Sequence, residues 1–301
     1  MPNSDDIRMD LHADYALMCT KELQAAGYTP PTGPAAEIIR SYANVRHRRV
    51  ARRPRNVHKA SYSVPAHLVV GEQAFLAAVA AGADLRPYQS TRLESAVFND
   101  GMLNDFGIQH FHLGTGPHPT KRGFIARTEP VLFSLVRDDD FYSLGCYAHG
   151  AWSQTSLLDL VHTTWPRLIA SSSVGGSTNP PGMKVIALQN NNTDLEIETL
   201  RKAGINSLTQ RPDGTIHVGP GGGVTTSGKS GKVALEVTKI KRLCSQTEDA
   251  LKVKLAPMLA SGALTPPVTL CLVQMGTEAF AVIDGGRIKF KLGDDLFVPP
   301  L

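Results

Sequence analysis

The sequence predicts an α+β protein in which N-terminal helices and a small antiparallel sheet are followed by a second α+β domain. Three observations support this class. Apolar residues recur at helical spacing up to about residue 85, and from residue 106 they alternate with polar residues as in strands. A length of 301 residues suits two domains, each with its own core.

The N-terminal part is predicted to be helical. The spacing of apolar residues predicts one helix over 11–28 and, after a proline-rich link, a second over 35–53 that Pro54 ends. A third, short helix is expected over 72–85, with a stop signal at Gly82.

Period-two alternation then predicts three strands over 107–114, 129–136 and 141–149. The acidic turn at 137–140 joins the last two strands as an antiparallel hairpin. A helix over 152–169 follows, which completes a compact unit of three strands and one helix.

A segment rich in Ser, Gly, Asn and Pro at 170–183 divides the predicted domains into 1–170 and 171–301. The second domain is predicted to contain a strand at 184–188, a helix at 194–204, a Gly-rich hairpin region at 206–236, a long helix at 237–261, and closing strands at 268–275, 278–284 and 287–293.

Composition and sequence pattern argue against several classes of protein. Hydrophobic residues make up 42% and charged residues 19% of the chain, and no apolar run is long enough for a membrane span. The N-terminus lacks the basic and apolar segments of a signal peptide, so we expect a cytoplasmic protein with no membrane partner. The scattered cysteines predict reduced thiols rather than disulfides or a zinc ribbon, at Cys19, Cys146, Cys244 and Cys271.

Histidines at strand positions suggest a site for chemistry. If 108–113 is a strand, His110 and His112 lie on one face, about 6.5–7 Å apart. Two such imidazoles can act as general base and acid around a phosphodiester, or they can bind a metal. They can equally be half-buried sheet residues bonded to carbonyls. His149 stands at a strand end, immediately before Gly150, where side chains are freed for chemistry or simply reach the surface.

Cationic residues lie between the first two predicted strands, at Lys121, Arg122 and Arg127. Their charges would neutralise a phosphoryl group while the histidines transfer protons. A solvated loop is the alternative interpretation of these cations.

The order of these elements resembles the RelE and YoeB type of bacterial endoribonuclease toxin. The resemblance covers about residues 100–165 and rests on the strand VLFSLV, the acidic turn, and the strand FYSLGCYAHG that ends at a histidine. It implies a RelE-like fold in which His149 matches the strand-end histidine, Arg127 the arginine before the central strand, and Lys121 and Arg122 the cationic loop. The pair His110 and His112, the N-terminal extension and the C-terminal domain depart from the family pattern.

A basic block at 46–59 contains six arginines, two histidines and one lysine without any acid. Such a run attracts a polyanion, and Tyr42 and Tyr62 flank it where they can stack on bases. We therefore expect nucleic-acid binding, with an acidic protein partner as the alternative. The expected contact residues are Arg46, Arg48, Arg49, Arg52, Arg53, Arg55 and Lys59.

The stretch Gly223 to Ser230 matches the phosphate-binding pattern G-x-x-x-x-G-K-S, with Lys229 as its lysine. The residues that follow are strand-like, whereas a true loop of this type enters a helix. A mobile glycine loop is therefore the favoured interpretation.

Together these features predict a metal-independent endoribonuclease of toxin or defence type, using no cofactor and having RNA and an antitoxin or regulatory protein as partners. The 2′-hydroxyl of RNA would attack the adjacent phosphate. Two alternatives stay open: a hydrolase whose metal is held by His110, His112 and His149, and a non-catalytic nucleic-acid adaptor that docks through residues 35–60.

Overall fold

The computed structural model describes residues 6–174, 188–283, 286 and 288–301. Its helices are α1 (Leu11–Ala25), α2 (Ala35–Arg48), α3 (Val69–Ala81), α4 (Gly101–Phe106), α5 (Ser156–Thr164), α6 (Asp194–Lys202) and α7 (Gly231–Ala260). Its strands are β1 (Ile7–Arg8), β2 (Asn56–Lys59), β3 (Ile108–Phe111), β4 (Val131–Val136), β5 (Asp140–Tyr147), β6 (Thr209–Gln210), β7 (Ile216–His217), β8 (Val268–Met275), β9 (Glu278–Ile283) and β10 (Lys289–Lys291). The α+β class is confirmed.

The chain divides into two compact units that are not successive halves. Unit 1 comprises Met1–Arg46 and Val233–Leu301, and unit 2 comprises His47–Lys232. The predicted division near residue 170 differs from this one, because β1 pairs in parallel with β8 and so joins the N-terminal segment to the C-terminal sheet. Most of the predicted linker and the strand expected at 184–188 lie outside the described residues.

Unit 1 is a four-stranded sheet in the order β1-β8-β9-β10, flanked by helices. The β8–β9 hairpin is antiparallel, as predicted. Helix α1 buries Leu11, Tyr15, Cys19 and Leu23, which recur every four residues. Helix α7 begins at Gly231, earlier than the predicted residue 237. Its first turns bury Val233 and Val237 at helical spacing. Packing of these valines therefore outweighs their intrinsic preference for strands.

Unit 2 contains a second four-stranded sheet in the order β2-β5-β4-β3. The three predicted strands are confirmed, and β4 and β5 form the expected hairpin. Strand β2 was not predicted; it pairs in parallel with β5. Because α2 ends at Arg48 rather than at residue 53, the second half of the basic block lies on a loop and on β2.

The unit 2 sheet is buried on both faces. Ile108, Phe133 and Leu144 pack with apolar residues of α5 on one face. Phe111 and Phe141 pack with α3 on the other, where the rings of Phe75 and Phe111 are 4.8 Å apart. Helix α3 lies so close to the chain after β3 that a Cβ on Gly71 would come within 1.8 Å of the Leu113 carbonyl oxygen. The chain leaving β3 is therefore held firmly.

Candidate active site

Three chain segments meet at one end of the unit 2 sheet. Phe111, the last residue of β3, pairs with Leu132 near the start of β4, and Tyr147, the last residue of β5, pairs with Val131. Antiparallel pairing thus brings together the chain after β3, the chain before β4 and the chain after β5. The first carries His112, the second Arg127 and the third His149.

The structure places the three predicted histidines in one cluster. Their ring centroids form a nearly equilateral triangle: His110 to His112 is 6.2 Å, His110 to His149 is 6.3 Å, and His112 to His149 is 6.1 Å. Trp152 lies against two of these rings, 4.6 Å from His110 and 4.8 Å from His149. The rings are close enough for one ligand to contact several of them.

Arg127 fixes the state of His149. Its Nη2 lies 3.0 Å from Nε2 of His149. Because a guanidinium can only donate, Nε2 must accept, so the imidazole is neutral and carries its proton on Nδ1. Glu129 holds the same residue by accepting the backbone N–H of His149. This pair therefore presents a cation and a neutral base side by side.

His112 is held from both sides. Its Nδ1 accepts the backbone N–H of Thr128 at 3.1 Å, and its own backbone N–H donates to the Tyr88 carbonyl at 2.7 Å. The proton of its neutral ring therefore sits on Nε2, which is buried without a hydrogen-bond partner. His112 is only 2% exposed, so we assign it a positioning role in the cluster.

All three imidazoles are shifted toward the neutral form. Burial, followed by the electrostatic effects of His149 and Arg127, lowers the pKa of His110 to about 4. Burial and the neighbouring His110 likewise lower the pKa of His112 to about 4. The pKa of His149 is also lowered, by partial burial and then by Arg127. At neutral pH the cluster consists of neutral bases.

The cluster opens onto a cavity of about 440 Å³ that is lined by His110, His149, Arg127, Arg92, Trp152 and Phe98, among others. This volume lies in the range of small-molecule sites. Two further lining cations are already paired: Arg201 with Asp105 at 2.8 Å, and Lys202 with Glu198 at 2.6 Å. In the described part of the chain, the guanidinium groups of Arg92 and Arg127 form no ion pair with a carboxylate, so they are available to an anion.

Sequence reasoning missed Arg92 and Trp152. Arg92 belongs to a short 3-10 segment, Thr91–Glu94, and its Cζ lies 5.1 Å from the centroid of the Phe98 ring. No periodic pattern marks this segment. Trp152 lies three residues after His149, and this closeness in sequence was the signal that could have identified Trp152 as a site residue.

Two of the predicted catalytic cations lie elsewhere. Lys121 is exposed and its Nζ is paired with Glu94 at 2.7 Å. Arg122 is exposed on the same loop. Neither residue is among those that line the cavity, and of the three cations between the strands Arg127 alone meets the histidines. A catalytic role for Lys121 and Arg122 stays a prediction.

The basic block does not form a continuous exposed cationic surface. Arg48 and Arg55 are buried, and their guanidinium groups donate to backbone carbonyls. Arg49 has a buried Nη1, so it is also poorly placed to contact a polyanion. The other cations face acids that are distant in sequence: Arg46 with Glu236, Arg52 with Asp84, Arg53 with Asp138, and Lys59 with Glu72. The nucleic-acid contact expected through this block stays a prediction.

The Gly-rich loop at 223–230 is closed by its own hydrogen bonds. The N–H of Thr225 donates to the Lys229 carbonyl, that of Gly228 to Thr225, and that of Gly231 to Gly223. A helix does follow, contrary to the sequence expectation, because α7 begins at Gly231. However, a phosphate loop requires free amides that converge on the ligand, and these amides are occupied.

Among the described residues, no group of three or more His, Cys, Asp or Glu side chains is arranged to hold a metal ion. None of the helices that the structure describes combines the length and the apolar composition of a membrane-spanning segment.

No protein-family model, curated protein or solved structure matches this chain.

Proposed function

We propose that unit 2 is a metal-independent endoribonuclease whose active centre is the cluster of His110, His112, His149 and Arg127. The observation that carries this proposal is the hydrogen bond from Arg127 to His149 inside a triangle of imidazoles at an open cavity. General acid–base groups beside guanidinium groups that no carboxylate neutralises are what phosphodiester cleavage needs in the absence of a metal.

In the proposed reaction the 2′-oxygen of a ribose attacks the adjacent phosphorus, and the bond from phosphorus to the 5′-oxygen of the next nucleotide breaks. His149 accepts the 2′-hydroxyl proton, and protonated His110 delivers a proton to the leaving 5′-oxygen. The products are a 2′,3′-cyclic phosphate and a 5′-hydroxyl end. Arg127 and Arg92 stabilise the negative charge that develops on the phosphoryl oxygens.

Substrate binding prepares the base. In the free protein the lone pair of His149 Nε2 is occupied by Arg127. A phosphate is a stronger acceptor for a guanidinium than a neutral imidazole is, so it draws Arg127 away and frees Nε2. The negative charge of the phosphate also raises the imidazole pKa values from their lowered positions, which strengthens His149 as a base and increases the fraction of His110 that is protonated.

The test is incubation of the purified full chain with a structured and a single-stranded RNA in excess EDTA, beside DNA of the same sequence. We expect cleavage of RNA, because the nucleophile is the 2′-hydroxyl, and no cleavage of DNA. Intact RNA under all conditions, or equal cleavage of DNA, would contradict the proposal.

The pH profile of kcat/KM should be shifted to acid, because this ratio reports the groups of the free enzyme. The base His149 must be neutral, and its pKa lies below the ordinary 6.5. The acid His110 must be protonated, and its pKa is about 4. We therefore expect a maximum below pH 6.5 and a decline of kcat/KM as the pH rises through 7. A maximum at pH 8 would exclude His110 as the acid.

The physiological role as a toxin or defence effector, with an antitoxin or regulatory protein as partner, follows from the resemblance described above and is part of the proposal.

A further inference from the structure

A small recess of about 30 Å³ adjoins the large cavity. Ser90, Arg92, Phe98, Asp100 and His110 line both spaces, so the recess is reached from the active centre. Gln89 and Gln109 line the recess but not the large cavity. Its volume accommodates a group about the size of a water molecule.

The orientation of both glutamine amides is fixed by one carbonyl. Nε2 of Gln89 donates to the Arg48 carbonyl oxygen at 2.8 Å, and Nε2 of Gln109 donates to the same oxygen at 3.2 Å. A carbonyl oxygen only accepts, so neither amide can be flipped without losing its bond. This carbonyl ends α2, where helical carbonyls need outside donors.

Each amide is therefore left with an unused acceptor. Oε1 of Gln89 and Oε1 of Gln109 are buried and have no hydrogen-bond partner, and the two residues are 8% and 7% exposed. A buried polar atom without a partner destabilises the folded protein. A small group that donates two hydrogen bonds could occupy a recess of this size and satisfy both neighbouring acceptors.

We propose that this recess is a base-specificity subsite that receives the exocyclic amino group of adenine or cytosine. The inference rests on the proposed function, since it assigns the base next to the cleaved phosphate. An amino group supplies two N–H donors and is the size of the recess, while the heterocycle to which it is attached occupies the large cavity. Uracil and hypoxanthine carry a carbonyl oxygen at the equivalent position, which cannot donate to either glutamine oxygen and leaves both of them unpaired.

Neighbouring groups support this assignment. The guanidinium of Arg92 lies over the Phe98 ring and offers a planar surface for a base at the entrance of the recess. His110 also lines both spaces. A base held here therefore brings its ribose and 3′-phosphate toward the imidazole cluster.

The experiment measures binding of product-like nucleotides to the full-length wild-type chain by isothermal titration calorimetry in EDTA. The matched pairs are 3′-CMP against 3′-UMP and 3′-AMP against 3′-IMP, which differ at the amino position. We expect the amino nucleotide of each pair to bind at least about tenfold more tightly. Equal affinities within each pair would overturn the proposal, because they would mean that the recess holds only water. The absence of binding of all four nucleotides at millimolar concentration would also overturn it.

A substitution in the recess then tests whether Gln109 causes the preference for amino nucleotides. Gln109→Leu removes one acceptor and should bring the affinity for 3′-CMP close to that for 3′-UMP. Gln73→Leu, at an exposed glutamine of α3, is the matched control and should keep the preference. If Gln109→Leu does not fold, the comparison of the matched nucleotides on the wild-type chain still tests the proposal. Nucleotide preference without RNA cleavage would support the subsite and reject the endoribonuclease, whereas RNA cleavage without preference would do the reverse.

Discussion

Replacing His149 by alanine is expected to lower the rate of RNA cleavage by about 10²–10⁴-fold, the usual contribution of a general base. The residue is exposed, so its removal should leave folding intact. His149→Gln is the sharper variant, because an amide oxygen still accepts a hydrogen bond from Arg127 but cannot take up a proton. We expect it to be as inactive as the alanine variant.

The control is His67→Ala, at an exposed histidine outside the cavity, which should cleave RNA at the wild-type rate. The same set can be expressed in bacteria. We expect the wild type and His67→Ala to arrest growth and both His149 variants to permit it. Unchanged RNA cleavage by His149→Ala would remove this residue from the mechanism.

Replacing Arg201 by methionine is expected to destabilise the protein by about 3–5 kcal/mol. Its Nε and Nη2 donate to Asp105 at 3.1 and 2.8 Å, and its Nη1 donates to the Trp152 carbonyl at 2.7 Å. Its Cζ also lies 4.8 Å from the centroid of the Phe106 ring. Without this partner the buried Asp105 carboxylate, whose pKa is already raised by burial, would be left unpaired.

The change in the free energy of unfolding can be measured by urea denaturation. Lys202→Met, in the same helix, breaks an exposed pair with Glu198 and should leave the free energy of unfolding nearly unchanged. The double variant Arg201→Met with Asp105→Leu should recover much of the loss, since no charge is left buried. An Arg201→Met loss no larger than that of Lys202→Met would show that the buried pair contributes little.

The local pattern of the chain predicts its elements better than its division into units. Period-two alternation located β3, β4 and β5, because these strands are bounded by clear turns. By contrast, β1 and β8 are neighbours across almost the whole length of the chain, and no local pattern reports such a pairing. The early start of α7 was hidden for a related reason: burial of Val233 outweighs its strand preference.

The candidate site was predictable only in part. Alternation along β3 places His110 and His112 on one face, and the position of His149 at a strand end follows from the hairpin. The contribution of Arg92 depends on an irregular segment that folds against the sheet end.

For the basic block, the sequence alone suggested more unpaired positive charge than the folded chain contains. Counting charges within the window 46–59 finds no acid, yet Asp84 and Asp138 approach its arginines from other parts of unit 2. Charge balance in the folded state depends on tertiary contacts that a local count cannot include. This is why a count within the block overstates the positive charge that is left without an acidic partner.

The central claim is that His149 and Arg127 promote attack by a ribose 2′-hydroxyl. The most direct measurement is mass spectrometry of the ends of RNA fragments released by the purified protein in EDTA. The account predicts 2′,3′-cyclic phosphate and 5′-hydroxyl ends, with cleavage blocked at a site that carries a single 2′-deoxy substitution. Fragments with 3′-hydroxyl and 5′-phosphate ends, or cleavage that persists at the 2′-deoxy site, would contradict it.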